Sequence, residues 1–387
     1  MPAEWTNHSA CLILFPHNIG TFRVEQASKE IIHLAFVIAT VGREAVYLLC
    51  QDDSNAKIVL QQVETQDTWA RDTAPMFVWQ QQRGKKTTTT TTKEEKKNQM
   101  SRQLLIGLDW DFNAYGGPDE GCYWPCTDDR KIARTICNNN NNSNNNNHNN
   151  LLSFKLNIHN SLSIPMILEG GSVHTDGEGT LLTTSECLNN PNRNPHLSQS
   201  EIETILIHAL GVTKVLWLPH GLDADEDTNG HIDNFCAFVR PGHVVLAWTD
   251  DDRHDVENYH RCREAELYLQ SNTDAFGRTL EITKLYLPSP PLYYQKEEAL
   301  SLVDDDGIMV RQPGEKIAAS YVNFYIANGA IMVPQFGLIE TEETDRRACD
   351  TLRPLFPDRQ VVGVPSYEIL LGGGNIHCQT QQVPSAL

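Results

Sequence analysis

Cys378 is the residue in this chain with the greatest chemical potential. It ends the segment Gly372-Gly373-Gly374-Asn375-Ile376-His377. Three glycines let backbone approach a ligand closely and adopt positive φ, so a thiol at the end of such a segment is placed for presentation. A buried, inert thiol is the alternative. His231 offers proton transfer near neutral pH. It lies in Asp225-Glu226-Asp227-Thr228-Asn229-Gly230-His231-Ile232-Asp233-Asn234. Read as a strand, His231 and Asp233 share a face and can address one ligand. Asp225 and Glu226 read as a solvated capping loop, and the ligand order of a calcium-binding EF hand is missing. In Trp69-Ala70-Arg71-Asp72 an indole and a carboxylate stand ahead of a strand-like run. That pair suits a guanidinium through two parallel hydrogen bonds and ring contact, although Arg71–Asp72 can also be read as a surface ion pair. Glu169 follows the apolar run Ile164–Leu168 and precedes Gly170-Gly171. It could orient His231 as the acid of a triad does.

These groups are far apart in sequence, so a fold must bring them together. Paired strand-like runs recur: Pro75–Trp79 with Leu104–Trp110, Ser172–Thr175 with Thr180–Thr183, Phe235–Val239 with Val244–Trp248, and Tyr321–Ile326 with Ile331–Pro334. Asn328-Gly329 in the last is a strong hairpin signal. A polar cluster sits at the head of each pair: Arg71-Asp72, Glu169–Gly171, His231–Asp233 and Tyr321–Asn323. Gly372–Cys378 is a fifth. Two low-complexity inserts, Gln80–Ser101 and Asn138–Asn150, cannot bury apolar area and read as disordered loops. Without them, Asp72 to Glu169 spans 62 positions, as does Glu169 to His231; Asn323 to Cys378 spans 55, and His231 to Asn323 is the exception at 92. Helix-like stretches intervene, including Arg23–Val41 ahead of the first pair. Another, Ser198–Leu210, has Ser198 and Glu201 placed for a capping box. The period predicts one radial α/β array over residues 1–387 whose polar tips converge on its axis.

Composition narrows the partners. The chain has 387 residues and net charge −19. The first insert is basic, which leaves the remainder more acidic still. Such a charge disfavours nucleic acid and favours small cations. The longest apolar stretch, near Ile31–Thr40, is too short to span a bilayer. No basic-then-apolar leader opens the chain, so a cytoplasmic location with reduced thiols is expected. Cys122 and Cys126 have no second pair to complete a zinc site, and no dinucleotide or phosphate loop occurs in a strand–turn–helix context. No metal and no cofactor are expected.

Six segments carry a family resemblance: Met1–Trp5, Trp69-x-Arg71-Asp72-x-x-Pro75, Leu168–Ser172, Asp225–Asn234, Ser320–Gly329 and Gly372–Cys378. Through them the chain closely resembles the agmatine deiminases, within the guanidine-modifying (pentein) superfamily, over essentially everything outside the inserts. The resemblance implies a five-bladed pseudo-symmetric α/β propeller of ββαβ-type units. It implies hydrolysis of agmatine to N-carbamoylputrescine and ammonia, a step towards putrescine, in a homodimer. Cys378 then matches the nucleophile, His231 the general acid/base and Glu169 its supporting carboxylate. Asp72 and Asp233 match the guanidinium-binding carboxylates, Asp227 a further substrate contact, and Trp69 a neighbouring aromatic. Two departures stand out: Gly is usual where Ala74 and Ala224 stand, so a backbone cost is expected at both. Arginine or peptidyl-arginine deiminases, amidinotransferases and a non-catalytic guanidinium-binding protein share parts of this logic.

Overall fold

The protein is described by a computed structural model in which residues 1–50, 61–81, 103–137, 151–302 and 310–385 are placed. Insert 138–150, and insert 80–101 beyond Gln81, lie outside the described residues. Gln80 and Gln81 themselves belong to the strand Met76–Gln81.

The same sheet occurs five times. A hairpin of two antiparallel strands is followed by a helix, and a third strand then pairs in parallel with the second. Met76–Gln81, Gln103–Asp111 and Ile158–Ile167 form one unit. Val173–Thr175, Thr180–Thr184 and Lys214–Leu218 form the next. Cys236–Arg240, His243–Trp248 and Glu281–Tyr286 follow, then Tyr325–Ile326, Ala330–Gln335 and Gln360–Pro365. The fifth joins the chain ends. Thr380–Pro384 pairs antiparallel with His8–Leu14, which pairs in parallel with Ala45–Cys50, and Gln61–Gln62 extends that sheet. The ββαβ propeller expected from the sequence is therefore present, closed by pairing of the two termini.

Local chemistry explains the elements. Middle strands such as His243–Trp248 are buried along their whole length, because they are flanked by strands and covered on both faces. The helix Gln199–Leu210 begins with the expected reciprocal capping box of Ser198 and Glu201. Val24–Thr40 turns Ala27, Ile31, Leu34 and Ile38 inward. They share a cluster with Ile13 of the fifth sheet and Met332 and Val364 of the fourth, so this helix ties neighbouring units together. Each such fully buried Ile or Leu contributes about 1.5–3 kcal/mol.

Two expected elements differ. Only Tyr325–Ile326 of the run Tyr321–Ile326 is strand; the preceding residues turn inward and carry Asn323. His231 and Asp233 do not alternate along a strand: a 3-10 turn spans Ile232–Asn234 and aims them separately. The long His231–Asn323 interval is explained by an excursion between Tyr286 and Ser320. It contains the short helix Lys296–Ser301 and brings Arg311 to the centre.

Candidate active site

Each unit delivers polar groups from the turn just before its first strand. Asp72 lies in the helical turn Ala70–Thr73. Glu169 precedes the 3-10 turn Gly170–Ser172. His231 and Asp233 flank Ile232, Asn323 precedes Tyr325, and Cys378 lies in the turn Ile376–Gln379, whose first N–H is taken by the Asn375 side chain. Equivalent positions in five repeats thereby become neighbours.

Cys378 is buried, with Sγ accepting from Asn323 Nδ2 at 3.2 Å and lying 3.5 Å from Asp233 Oδ2. Asn323 Oδ1 accepts the backbone N–H of His377 at 2.9 Å and of Cys378 at 3.4 Å. One side chain thus fixes both the thiol and its backbone. Asp72 accepts from Gly171 N at 2.9 Å and from Tyr115 OH at 2.9 Å. Tyr115 is held with φ at +69°, a costly conformation for a bulky residue that is tolerated where the surroundings over-determine it. Asp233 Oδ2 accepts from His377 Nδ1 at 2.8 Å, whereas its Oδ1 is buried and has no hydrogen-bond partner. His231 Nε2 faces Glu169 Oε2 at 3.9 Å, and neither atom has another partner. The other Glu169 oxygen accepts from Arg193 Nε at 2.7 Å. Gly171 lies at the centre of this ring: a Cβ there would come within 2.6 Å of His231 Nδ1, 2.9 Å of Asp233 Oδ2 and 3.1 Å of Asp72 Oδ1.

Burial pushes carboxyl groups towards neutrality, and their neighbours decide the outcome. Asp72 is pushed up to about 6 by burial and by Asp233 and Glu169, against the pull of His231. Burial acts the same way on Glu169, but Arg193 and His231 outweigh it and bring it down to about 2. Asp233 is likewise opposed by burial yet lowered, chiefly by His377. His231 is raised well above its ordinary value: burial opposes its charge, but Cys187, Glu169 and Asp72 prevail. The Cys378 thiol is raised well above the ordinary range by burial and by Asp233 and Asp72.

Asp72 and Cys378 line a cavity together with Trp69, Asp67, Asp227 and Arg311. The Gly372–Gly374 segment closes one wall, and each glycine leaves room for a neighbour. A Cβ on Gly374 would meet the Trp69 ring at 2.7 Å and Cys378 Cβ at 3.1 Å; one on Gly373 would strike Asp227 and Arg311. Asp227 is bound on both oxygens by Arg311, with Nη1 to Oδ1 at 2.8 Å and Nη2 to Oδ2. Asp67 is a further buried carboxyl in the wall, pushed up to about 8 by burial and by Asp129.

All seven residues singled out from sequence are reached here. Cys378, Asp72, Asp227 and Trp69 line the cavity; Asp233 contacts Cys378, His231 converges with Asp72 and Asp233 around Gly171, and Glu169 faces His231. Three readings are corrected. Asp225 is buried, accepting from His231 N, Asn234 and Thr228; it holds the His231 segment in place. Arg71 and Asp72 are not a surface pair, because Arg71 is buried against Glu4 at 3.0 Å. Ala74 is extended, with φ −76°, and carries no backbone cost, whereas Ala224 does sit at φ +71°. The roles of Arg193, Tyr115, Arg311 and the Glu4–His377 contact had no sequence signal of their own. Two groups among the described residues could hold a metal ion, Glu4–His174–His377 and Glu169–Cys187–His231. Neither includes Cys122 or Cys126, and the first is already knit by ion pairs.

Five repeats about a Cys–His–carboxylate centre define the guanidine-modifying, pentein-fold class. The chain matches the Porphyromonas-type peptidyl-arginine deiminase family over residues 1–384 and belongs to that family. It is 41% identical to an agmatine deiminase of Medicago truncatula, covering 100% of this chain and 96% of that protein. It is 39% identical to an agmatine deiminase of Ectopseudomonas mendocina, with coverages of 100% and 95%. The solved agmatine deiminase of Enterococcus faecalis superposes with a TM-score of 0.82 at 30% identity, over 100% of this chain and 95% of that one. Among the described residues, no helix is long and apolar enough to cross a membrane.

Proposed function

We propose that the protein is an agmatine deiminase, hydrolysing agmatine to N-carbamoylputrescine and ammonia on the way to putrescine. The observation that carries this reading is a pair of buried carboxylates beside a buried thiol, one with an oxygen left without a partner. Asp233 Oδ1 and the Asp72 carboxylate offer fixed acceptors for a planar, charged guanidinium. The full-length likeness to agmatine deiminases supports the choice of substrate.

The chemistry follows from the charges. In the free protein the thiol is protonated, held there by burial and by Asp233 and Asp72. A docking guanidinium neutralises those two anions. The thiol proton is released to solvent, and Sγ attacks the guanidino carbon. Protonated His231 donates to the departing nitrogen, which leaves as ammonia, and a positively charged amidino-thioether remains on Cys378. His231, now neutral, takes a proton from water; the hydroxide adds to the same carbon and the thiol leaves. Glu169 keeps His231 charged between turnovers, and Arg193 keeps Glu169 ionised. These steps involve neither redox chemistry nor phosphate, and His231 carries both the proton to the leaving nitrogen and the proton from the attacking water. Arginine would bring a carboxylate towards Arg311, where Asp227 already occupies two donors, so an uncharged or cationic end group fits better.

Ammonia release from agmatine, arginine and a blocked arginine peptide, with Cys378→Ala as control, tests the assignment. Agmatine is expected to be turned over with the highest kcat/KM, and Cys378→Ala to release none. A preference for either arginine substrate overturns it.

A further inference from the structure

Behind Asp233 lies a row of buried charges that the scheme above does not use. His377 Nδ1 is 2.8 Å from Asp233 Oδ2, and its Nε2 is 3.0 and 3.1 Å from the two oxygens of Glu4. Glu4 also receives Arg71 Nη1 at 3.0 Å and faces His174 Nε2 at 3.5 Å. Arg71 Nε reaches the carbonyl of His377 at 3.3 Å. All five residues are buried.

A neutral imidazole has one N–H and one lone pair, and here its lone pair would point at a carboxylate oxygen. Only the doubly protonated ring donates in both directions. Arg71, Glu4, His377 and Asp233 then alternate in sign. An isolated charge at this depth would be expensive, but each is matched by the next.

We propose that His377, held as an imidazolium between Glu4 and Asp233, is the positioning residue for guanidinium binding. It caps one Asp233 oxygen, turns the other towards the substrate, and keeps Asp233 ionised although Asp72 and the burial of the site oppose that charge. Without it, Asp233 and Asp72 would compete as like charges and retain a shared proton. His231 and Arg71 also face Asp233 and favour its ionised form. His377 acts through Asp233 and does not touch the reacting atoms. This inference rests on the reading of the site as a guanidinium hydrolase, so its test includes a readout independent of turnover.

That readout is the ¹⁵N spectrum of histidine-labelled protein at pH 8.5, with the His377 signals assigned by their loss in His377→Gln. Both ring nitrogens are expected to show protonated shifts; one protonated and one bare nitrogen overturns the inference whatever the enzyme's activity. In kinetics, His377→Gln should raise KM for agmatine at least about tenfold at pH 7. The acid limb of kcat/KM, set by the coupled Asp72–Asp233 pair, should move up by about one pH unit, since the pair loses its neighbouring cation and holds its shared proton more tightly, and activity should recover as pH rises. Glu4→Gln should move the limb in the same direction by less, and it serves alone if His377→Gln does not fold. A purely structural role would lower activity by the same factor at every pH. That result, or an unshifted limb in Glu4→Gln, overturns the proposal.

Discussion

Gly171→Ala is the substitution that separates the site from the scaffold. The residue is buried where three units meet, and a methyl group there would approach His231 Nδ1, Asp233 Oδ2 and Asp72 Oδ1 at 2.6, 2.9 and 3.1 Å. Ordinary contact needs about 3.4 Å, so the acid/base and both guanidinium anions must retreat by up to about 0.8 Å. None of the three can swing into open space, because His231 is sealed against Glu169 and Asp72 is tied to Gly171 N and Tyr115. A misplacement near 1 Å costs on the order of 10²-fold in rate. Gly171→Ala should therefore lose about 10²-fold in kcat/KM, equal to about 2.7 kcal/mol of transition-state stabilisation. Overpacking should also cost about 1–3 kcal/mol of stability. Gly211→Ala provides the contrast: Gly211 sits at φ +69° with nothing within 4 Å of its Cβ position, so only backbone strain of about 1–2 kcal/mol applies. That variant should melt lower and keep wild-type kcat/KM. Ammonia-release kinetics and thermal melts on both variants make the comparison. A Gly171→Ala protein within threefold of wild-type kcat/KM would refute the convergence of these groups on Gly171.

Other outcomes follow from the same geometry. Arg193→Met strands Glu169 in the interior without its cation and should cost about 3–5 kcal/mol of stability, read as a lower denaturant midpoint; an unchanged midpoint contradicts the pair's role. Ala224→Gly relieves a left-handed alanine and should stabilise by about 1 kcal/mol with kcat/KM unchanged. Burial and the neighbouring carboxylates push Asp72 up to about 6, so kcat/KM for agmatine should fall as pH drops through that value and one guanidinium anion is protonated; a flat profile to pH 5 excludes this. The sign for stability is opposite. A carboxyl raised above its unfolded value destabilises the fold once ionised, so Asp72→Asn should melt higher than wild type at pH 8 while losing activity.

Three hairpins were readable because their turns are short and made of turn-forming residues such as Asn328-Gly329 and Arg240-Pro241-Gly242, and a fourth because its two strand-like runs flank a low-complexity insert. Their common period then pointed to a ring. The fifth hairpin was not readable: its strands, His8–Leu14 and Thr380–Pro384, sit at opposite ends of the chain, and no local pattern links them. Reacting groups announce themselves by residue type beside glycines or turns, as Cys378, Glu169 and His231 do. Their supports do not. Arg193 is one arginine in the loop Asn189–Asn194, and Arg311 lies on an excursion whose only trace in sequence was a broken repeat length. Both become meaningful when a carboxylate from another unit is seen against them. Asp227 illustrates the cost: read alone it is a free anion for substrate, whereas the fold gives both its oxygens to Arg311. Ala74 and Ala224 show the same limit in the backbone, since residue identity alone did not reveal which of them is left-handed.

The most direct measurement is mass spectrometry of the protein quenched in acid during turnover of agmatine. Covalent catalysis at the convergent centre predicts a peptide containing Cys378 heavier by one agmatine less one ammonia, absent from Cys378→Ala. Steady ammonia release with Cys378 unmodified throughout, or the same mass on another of the ten cysteines, would contradict the account.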